Sequence, residues 1–422
     1  MRAQKTASTP EVNTSARPVS TSVRLAADRL FDTKSGQVLF DHIVEIEDGR
    51  IRAVAPRKGG RADGEVIDFG DATLLPGLID IHQHLAFDSS SDVVGHLQAD
   101  DDSTLLLRMR LAAQRALSAG ITTIRDLGDR NYLALSLRDW FAMGCEPGPR
   151  ILASGPPITV TGGHCWFLGG EADDEAAIRR LIREHASRGV DVIKIMATGG
   201  NLTPTLGPHE SQYGIVELKA AVEEAHAHAL PLAVHAHGPQ GIADAVAVGA
   251  DSIEHCTFFT ADGVDADPDV MKLIVKSDST ISMTGSLVPG AEPGFPAMVR
   301  RVEAIVANHA ALYRAGARLV CSSDAGVTPS KPHNALPFGV SDHLPRIGMS
   351  NAEAIVNVTL TAAQACGIEA LTGSLEPGKD ADILAVASDP LQDIRAIHRV
   401  LGVFARGRPA PLPDGQTMSM VP

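Results

Sequence analysis

Two histidines two positions apart close an apolar run, "LLPGLIDIHQHL" at residues 74–85. Alternate residues of a β-strand share a face, so the imidazoles of His82 and His84 can approach one ion, although two half-buried histidines at a strand end would look the same. Lys194, in "DVIKIMAT", is a cation inside an apolar strand. Burial disfavours its ammonium form and leaves a reactive amine. Such an amine can add CO2, and the resulting carbamate offers two anionic oxygens able to bridge two metal ions. The plain alternative is a lysine paired with a buried carboxylate. His235 in "LAVHAHG", His255 in "DSIEHC" and Asp324 in "LVCSSDAG" also end apolar strands. One such residue is easily a satisfied core group. Packing does not explain the whole set recurring at the ends of the first, fourth, fifth, sixth and eighth strands of a series. Cys256, next to His255, should face the other side of its strand and is not expected to be a ligand.

The elements that must position these groups are short apolar strands separated by periodic helices. "LLPGLIDIH", "GITTIRDLG", "RILASGPPI", "GVDVIKIMAT", "LPLAVHAHG", "GADSIEHCT", "STISMTGSL" and "ARLVCSSDAG" alternate with segments such as "DDEAAIRRLIREHASRG" and "GIVELKAAVEEAHAHAL". Asp173 and Asp174 suit the start of the first of these helices and Gly189 its end. Eight strands with helices between them predict an α/β fold, a (β/α)8 TIM-like barrel over 74–371, whose reactive groups gather where the strands end. No GxGxxG follows the first strand, which argues against an open dinucleotide-binding sheet. Residues 22–73 and 372–422 alternate apolar and polar residues around turn signals, and they predict a small β-sandwich domain built from both chain termini. Residues 1–21 read as a flexible tail.

The 422 residues are 44% hydrophobic, enough for one large core, and carry a formal net charge of -14. No basic face for nucleic acid is expected, and an anionic membrane is disfavoured for the same reason. No run reaches the roughly 18 apolar residues of a membrane helix. The five cysteines lack CxxC spacing, and the N-terminus lacks the apolar core of a secretion signal. A cytoplasmic protein is expected, unless a signal has been removed.

Together "PGLIDIHQHL", "VIKIMATGG", "VHAHG", "IEHC", "SSDAG" and "GSLEPGKDADILAV" resemble the amidohydrolase superfamily with a binuclear metal centre. Within it, the chain is similar to the imidazolonepropionase-like group that includes Xaa-Pro and Xaa-Arg dipeptidases and ochratoxin-hydrolysing amidohydrolases. The resemblance implies two divalent metal ions, with zinc favoured by the oxygen and imidazole donors. His82 and His84 would bind one metal and His235 and His255 the other. Carboxylated Lys194 would bridge them, and Asp324 would bind the first metal while accepting a proton from a bridging hydroxide's parent water. His164, in "TGGHCW", matches a histidine that polarises the scissile carbonyl, and Tyr213 matches a tyrosine near the substrate's carboxylate. His237 can share the interior and assist substrate binding, or simply line a pocket.

The implied partner is a small-molecule amide substrate, and a homo-oligomer is expected because the resembling enzymes form them. "GGNLTP" with Gln212-Tyr213 favours N-acyl amino acids or dipeptides, including ochratoxin A, over a ring substrate. The alternatives are hydrolysis or deamination of a cyclic amide, amidine or carbamate, and a noncatalytic barrel scaffold. "TGSLVPGAEPGFPAMV" and "GVTPSKPHNALPFGVSDH" can form an apolar wall for the substrate. Lys331 is available as a cationic partner for a carboxylate, with no role assigned to it.

Overall fold

The computed structural model describes residues 22–57, 65–203 and 205–412. The tail expected at 1–21 and the last residues of the C-terminal segment, 413–422, lie outside them.

Five strands come first: β1 (Ser22–Asp32), β2 (Gln37–Glu47), β3 (Arg50–Pro56), β4 (Glu65–Asp68) and β5 (Ala72–Pro76). The eight strands read from the sequence follow as β6 (Leu78–Gln83), β7 (Ile121–Asp126), β8 (Arg150–Ala153), β9 (Ile193–Met196), β10 (Leu232–Ala236), β11 (Ser252–His255), β12 (Thr280–Met283) and β13 (Leu319–Cys321). The last described strands are β14 (Ile383–Ala387), β15 (Val400–Ala405) and β16 (Arg408–Pro409).

Strands β6 to β8 and β9 to β13 form two parallel sheets in sequence order, and single parallel bridges, Ile158 to Ile195 and Gln83 to Ala325, link them at both ends. Their residues are almost continuously buried, as strands covered on both faces must be. The helix Glu175–Arg188 starts as expected, with Asp174 accepting from the Ala177 amide at 2.8 Å, and stops at Gly189 in the left-handed conformation.

The first and last described strands meet in one sheet of eight, ordered β16-β15-β14-β5-β1-β2-β3 with β4 also on β1. Leu25, Leu30, Ile46, Ile51, Phe69 and Phe404 pack its apolar face. The run "LLPGLIDIH" is therefore not a single strand: Leu74 to Pro76 pair with β14, and the parallel strand begins at Leu78. Gly77 separates them where any side chain would overlap Thr122.

The last helix also departs from its single periodic run. It widens to a π-turn at Asn357–Thr361. There the Asn357 side chain accepts from the Cys321 amide at 2.7 Å and donates to the Leu319 carbonyl at 2.8 Å, bracing β13 just ahead of Asp324. Among the described residues, no helix is long and apolar enough to cross a membrane.

Candidate metal centre and active site

The strand ends converge as the sequence spacing implied. His82, in β6, and His84, just past it, bring their Nε2 atoms within 3.3 Å of each other and within 3.4 Å each of Asp324 Oδ1. These three donors form one tight group, and His235, His237 and His255 form a second. The groups adjoin, with the rings of His82 and His255 4.9 Å apart. Lys194 lines the same cavity, and its Nζ is buried without a hydrogen-bond partner. Among the described residues, no carboxylate pairs with it directly. Burial, only partly offset by Glu254 and Asp324, lowers its pKa to about 8.

The imidazoles of His82, His164, His235, His237 and His255 are held neutral. Burial, then the Lys194 charge, brings His82 down to about 4 and His164 to about 3, and burial lowers His237 to about 3. Neutral imidazoles are the form that binds metal. For Asp324, burial opposes ionisation, but Lys331 and the two imidazoles outweigh it and hold the carboxyl well below its usual range.

Two of these residues sit on uncommon backbone. His255 has φ 73° and Asp324 φ 55°, conformations that non-glycine residues adopt at a cost of about 1–3 kcal/mol. Neighbouring strands hold them there: the Asp324 amide donates to the His82 carbonyl at 2.8 Å, and the Cys256 amide donates to the Ala236 carbonyl at 3.1 Å.

Beneath the cavity lies a charged network that the motif reading passed over. Glu254, wholly buried, takes a hydrogen bond from His82 Nδ1 at 2.8 Å, from Arg125 Nη2 at 2.9 Å and from Ser252 Oγ at 2.6 Å. It fixes the His82 ring so that Nε2 faces the cavity. Burial alone would raise the Glu254 pKa, and Arg125 and His82 reverse this. A carboxylate in "DSIEHC" and a guanidinium in "ITTIRD" are as out of place in apolar strands as Lys194, so the rule that singled out the lysine would have found both.

His164 reaches the cavity, its ring 4.7 Å from that of His235. The two glycines of "TGGN" make room: a side chain on Gly200 would overlap the His164 ring, and one on Gly199 the backbone of Leu206 and Gly207. His237 is closer to the metal-type donors than expected, stacked on His255 with centroids 4.4 Å apart. Tyr213 is buried. Its hydroxyl donates to the Ala172 carbonyl, and the structure does not bring it among the residues lining the cavity. Cys256, just past β11, is buried.

The cavity opens into an apolar chamber of about 320 Å³, walled by Leu287, Val288, Pro289, Phe295, Met298 and Val302. All but Val302, which begins the helix Val302–Arg314, come from the segment after β12 where an apolar wall was expected, and the loop after β13 adds Val327 and Lys331. Lys331 is buried, with Nζ 3.2 Å from Asp324 Oδ2 and donating to the Thr284 carbonyl at 2.9 Å.

Comparison with known proteins places this arrangement. The ochratoxinase of Aspergillus niger is 28% identical over 359 residues, covering 77% of this chain and 72% of that protein. The imidazolonepropionase of Streptomyces avermitilis is 26% identical over 368 residues, covering 81% of this chain and 80% of the relative. The crystal structure of a Xaa-Pro dipeptidase with methionine bound in its active site superposes with a TM-score of 0.80 at 29% identity, over 92% of this chain and 99% of that one. Residues 73–410 match the model of the Amidohydrolase family. The chain belongs to that family and is a hydrolytic enzyme acting on the carbon–nitrogen bonds of amides.

Proposed function

We propose that the enzyme is a binuclear metal-dependent hydrolase that cleaves the amide of N-acyl amino acids or dipeptides and releases a free amino acid. The observation that carries this reading is the unpaired, buried Lys194 amine lining one cavity with two groups of metal-type donors. An orphaned amine there fits a carbamate that completes a two-metal site, and neutral imidazoles fit the same role. His82, His84 and Asp324 would hold one ion, His235 and His255 the second, and carboxylated Lys194 would join them. The bound metals, zinc by donor chemistry, would supply Lewis acidity and lower the pKa of water.

The chain's own groups do the rest. His164 donates to the substrate carbonyl oxygen as it gains charge. Asp324 takes a proton from water and returns it to the departing nitrogen. The chamber beside the site encloses an apolar side chain and excludes water. His237, within the second donor group, orients His255 from its stacked position. The parallel bridges at both ends of the two sheets support a closed eight-stranded barrel, and the apolar face of the terminal sheet supports its folding into a sandwich. The similarity to ochratoxinase and to a dipeptidase supports an amino acid as leaving group.

The test is a panel of dipeptides, N-acyl amino acids and ochratoxin A beside lactams and carbamates, with products followed by mass spectrometry against a chelated control. Chelator-sensitive release of a free amino acid is expected. Products that are only ring-opened or deaminated would overturn this reading.

A further inference from the structure

An enzyme that releases a free amino acid has to recognise a carboxylate, and the group expected to do so, Tyr213, donates its hydroxyl to the Ala172 carbonyl and is not among the residues lining the cavity. The chamber offers another candidate. Its lining is mostly apolar, and the one lysine or arginine among its described lining residues is Lys331. An ammonium has three donors. Two are used here, one on Asp324 Oδ2 and one on the Thr284 carbonyl. Arg346, which lines the adjoining pocket beyond Lys331, already pairs with Glu303 at 2.7 Å and Asp342 at 3.5 Å. Lys331 shares its single carboxylate partner with two histidines, because Asp324 Oδ1 faces His82 and His84. Its charge is buried and only partly answered, a state that favours a further anion.

We propose that Lys331 is the specificity-determining residue of this site: its remaining N–H binds the free carboxylate of a leaving amino acid whose apolar side chain fills the chamber. This rests on the reading of the enzyme as one that releases amino acids. The tie to Asp324 places the recognised carboxylate beside the group that returns the proton, so the same residue selects the substrate and registers its amide against the reacting groups.

Two measurements test it. Calorimetry on the zinc-loaded protein compares L-phenylalanine with L-phenylalaninamide, ligands of the same shape with and without the charge. Turnover compares N-acetyl-L-phenylalanine with its carboxamide. In the wild type the free acid should bind about 10- to 100-fold more tightly, the worth of one charge-assisted hydrogen bond. Lys331→Met and the milder Lys331→Gln should lose that preference by weakening the acid alone, and Lys331→Arg should keep part of it.

A wild type that binds neither ligand, or both equally, would overturn the proposal without need of any variant. Equal weakening of both ligands in the variants would overturn it too, leaving Lys331 as a support for Asp324. Charge-selective binding without release of an amino acid from any acyl substrate would instead refute the proposed function and leave the role of Lys331 standing.

Discussion

Replacing Glu254 by Gln removes one charge and almost no volume, yet the structure predicts a large effect. Its two carboxylate oxygens face different donors: His82 Nδ1 on Oε2, and Arg125 Nη2 with Ser252 Oγ on Oε1. A carboxamide must turn its NH2 toward one of these sets, placing donor against donor, and either orientation leaves the buried Arg125 without a counter-charge. Breaking a buried ion pair on one side costs about 3–5 kcal/mol, which for a chain of this size lowers the melting temperature by about 3 to 6 °C.

The Glu254 pKa is depressed in the folded state, so its contribution is present above its ordinary value of 4.5 and lost as the pH falls through the folded value. Calorimetric melting at pH 7 therefore reads the full effect. Because Glu254 also holds the His82 ring, zinc affinity should drop by about 10- to 100-fold, and a companion Arg125→Met should recover part of the stability. A Glu254→Gln protein that melts with the wild type and binds zinc equally well would refute the reasoning.

Asp324→Asn should retain zinc, measured by mass spectrometry, while turnover falls by about 10²- to 10⁴-fold, since a carboxamide cannot carry the proton. Gly200→Ala should displace the His164 ring that its methyl would overlap, lowering kcat by about 10²-fold with metal content unchanged. With Lys194 titrating near 8, the neutral amine that adds CO2 grows tenfold per pH unit below that value. At fixed dissolved CO2, the carbamate signal in carbon-13 NMR of the metal-free protein should form correspondingly faster up to about pH 8 and then level off.

The eight parallel strands and most of the donor set were legible because period and chemistry agree: buried strands read as apolar runs, and a histidine, lysine or aspartate at their ends stands out against them. Other features left no local signal. The division of "LLPGLIDIH" at Gly77 depends on a pairing with β14, more than three hundred residues away in the chain. The π-turn at Asn357 depends on the β13 backbone that it braces. The left-handed backbone of His255 and Asp324 is imposed by neighbouring strands on residue types that do not announce it. Tyr213 was assigned by resemblance in motif, and its direction was decided by the distant Ala172 carbonyl. Glu254 and Arg125 were visible as charges in apolar strands, and only their pairing needed three dimensions.

The central claim is a two-metal site that releases an amino acid. Titrating the metal-free protein with zinc at pH 8 in bicarbonate, while following amino acid release from an N-acyl amino acid, tests it in one curve. Release should be absent at the start, rise with added zinc and break at about two equivalents per chain. Release at the full rate without metal, or a complete response at one equivalent, would contradict it.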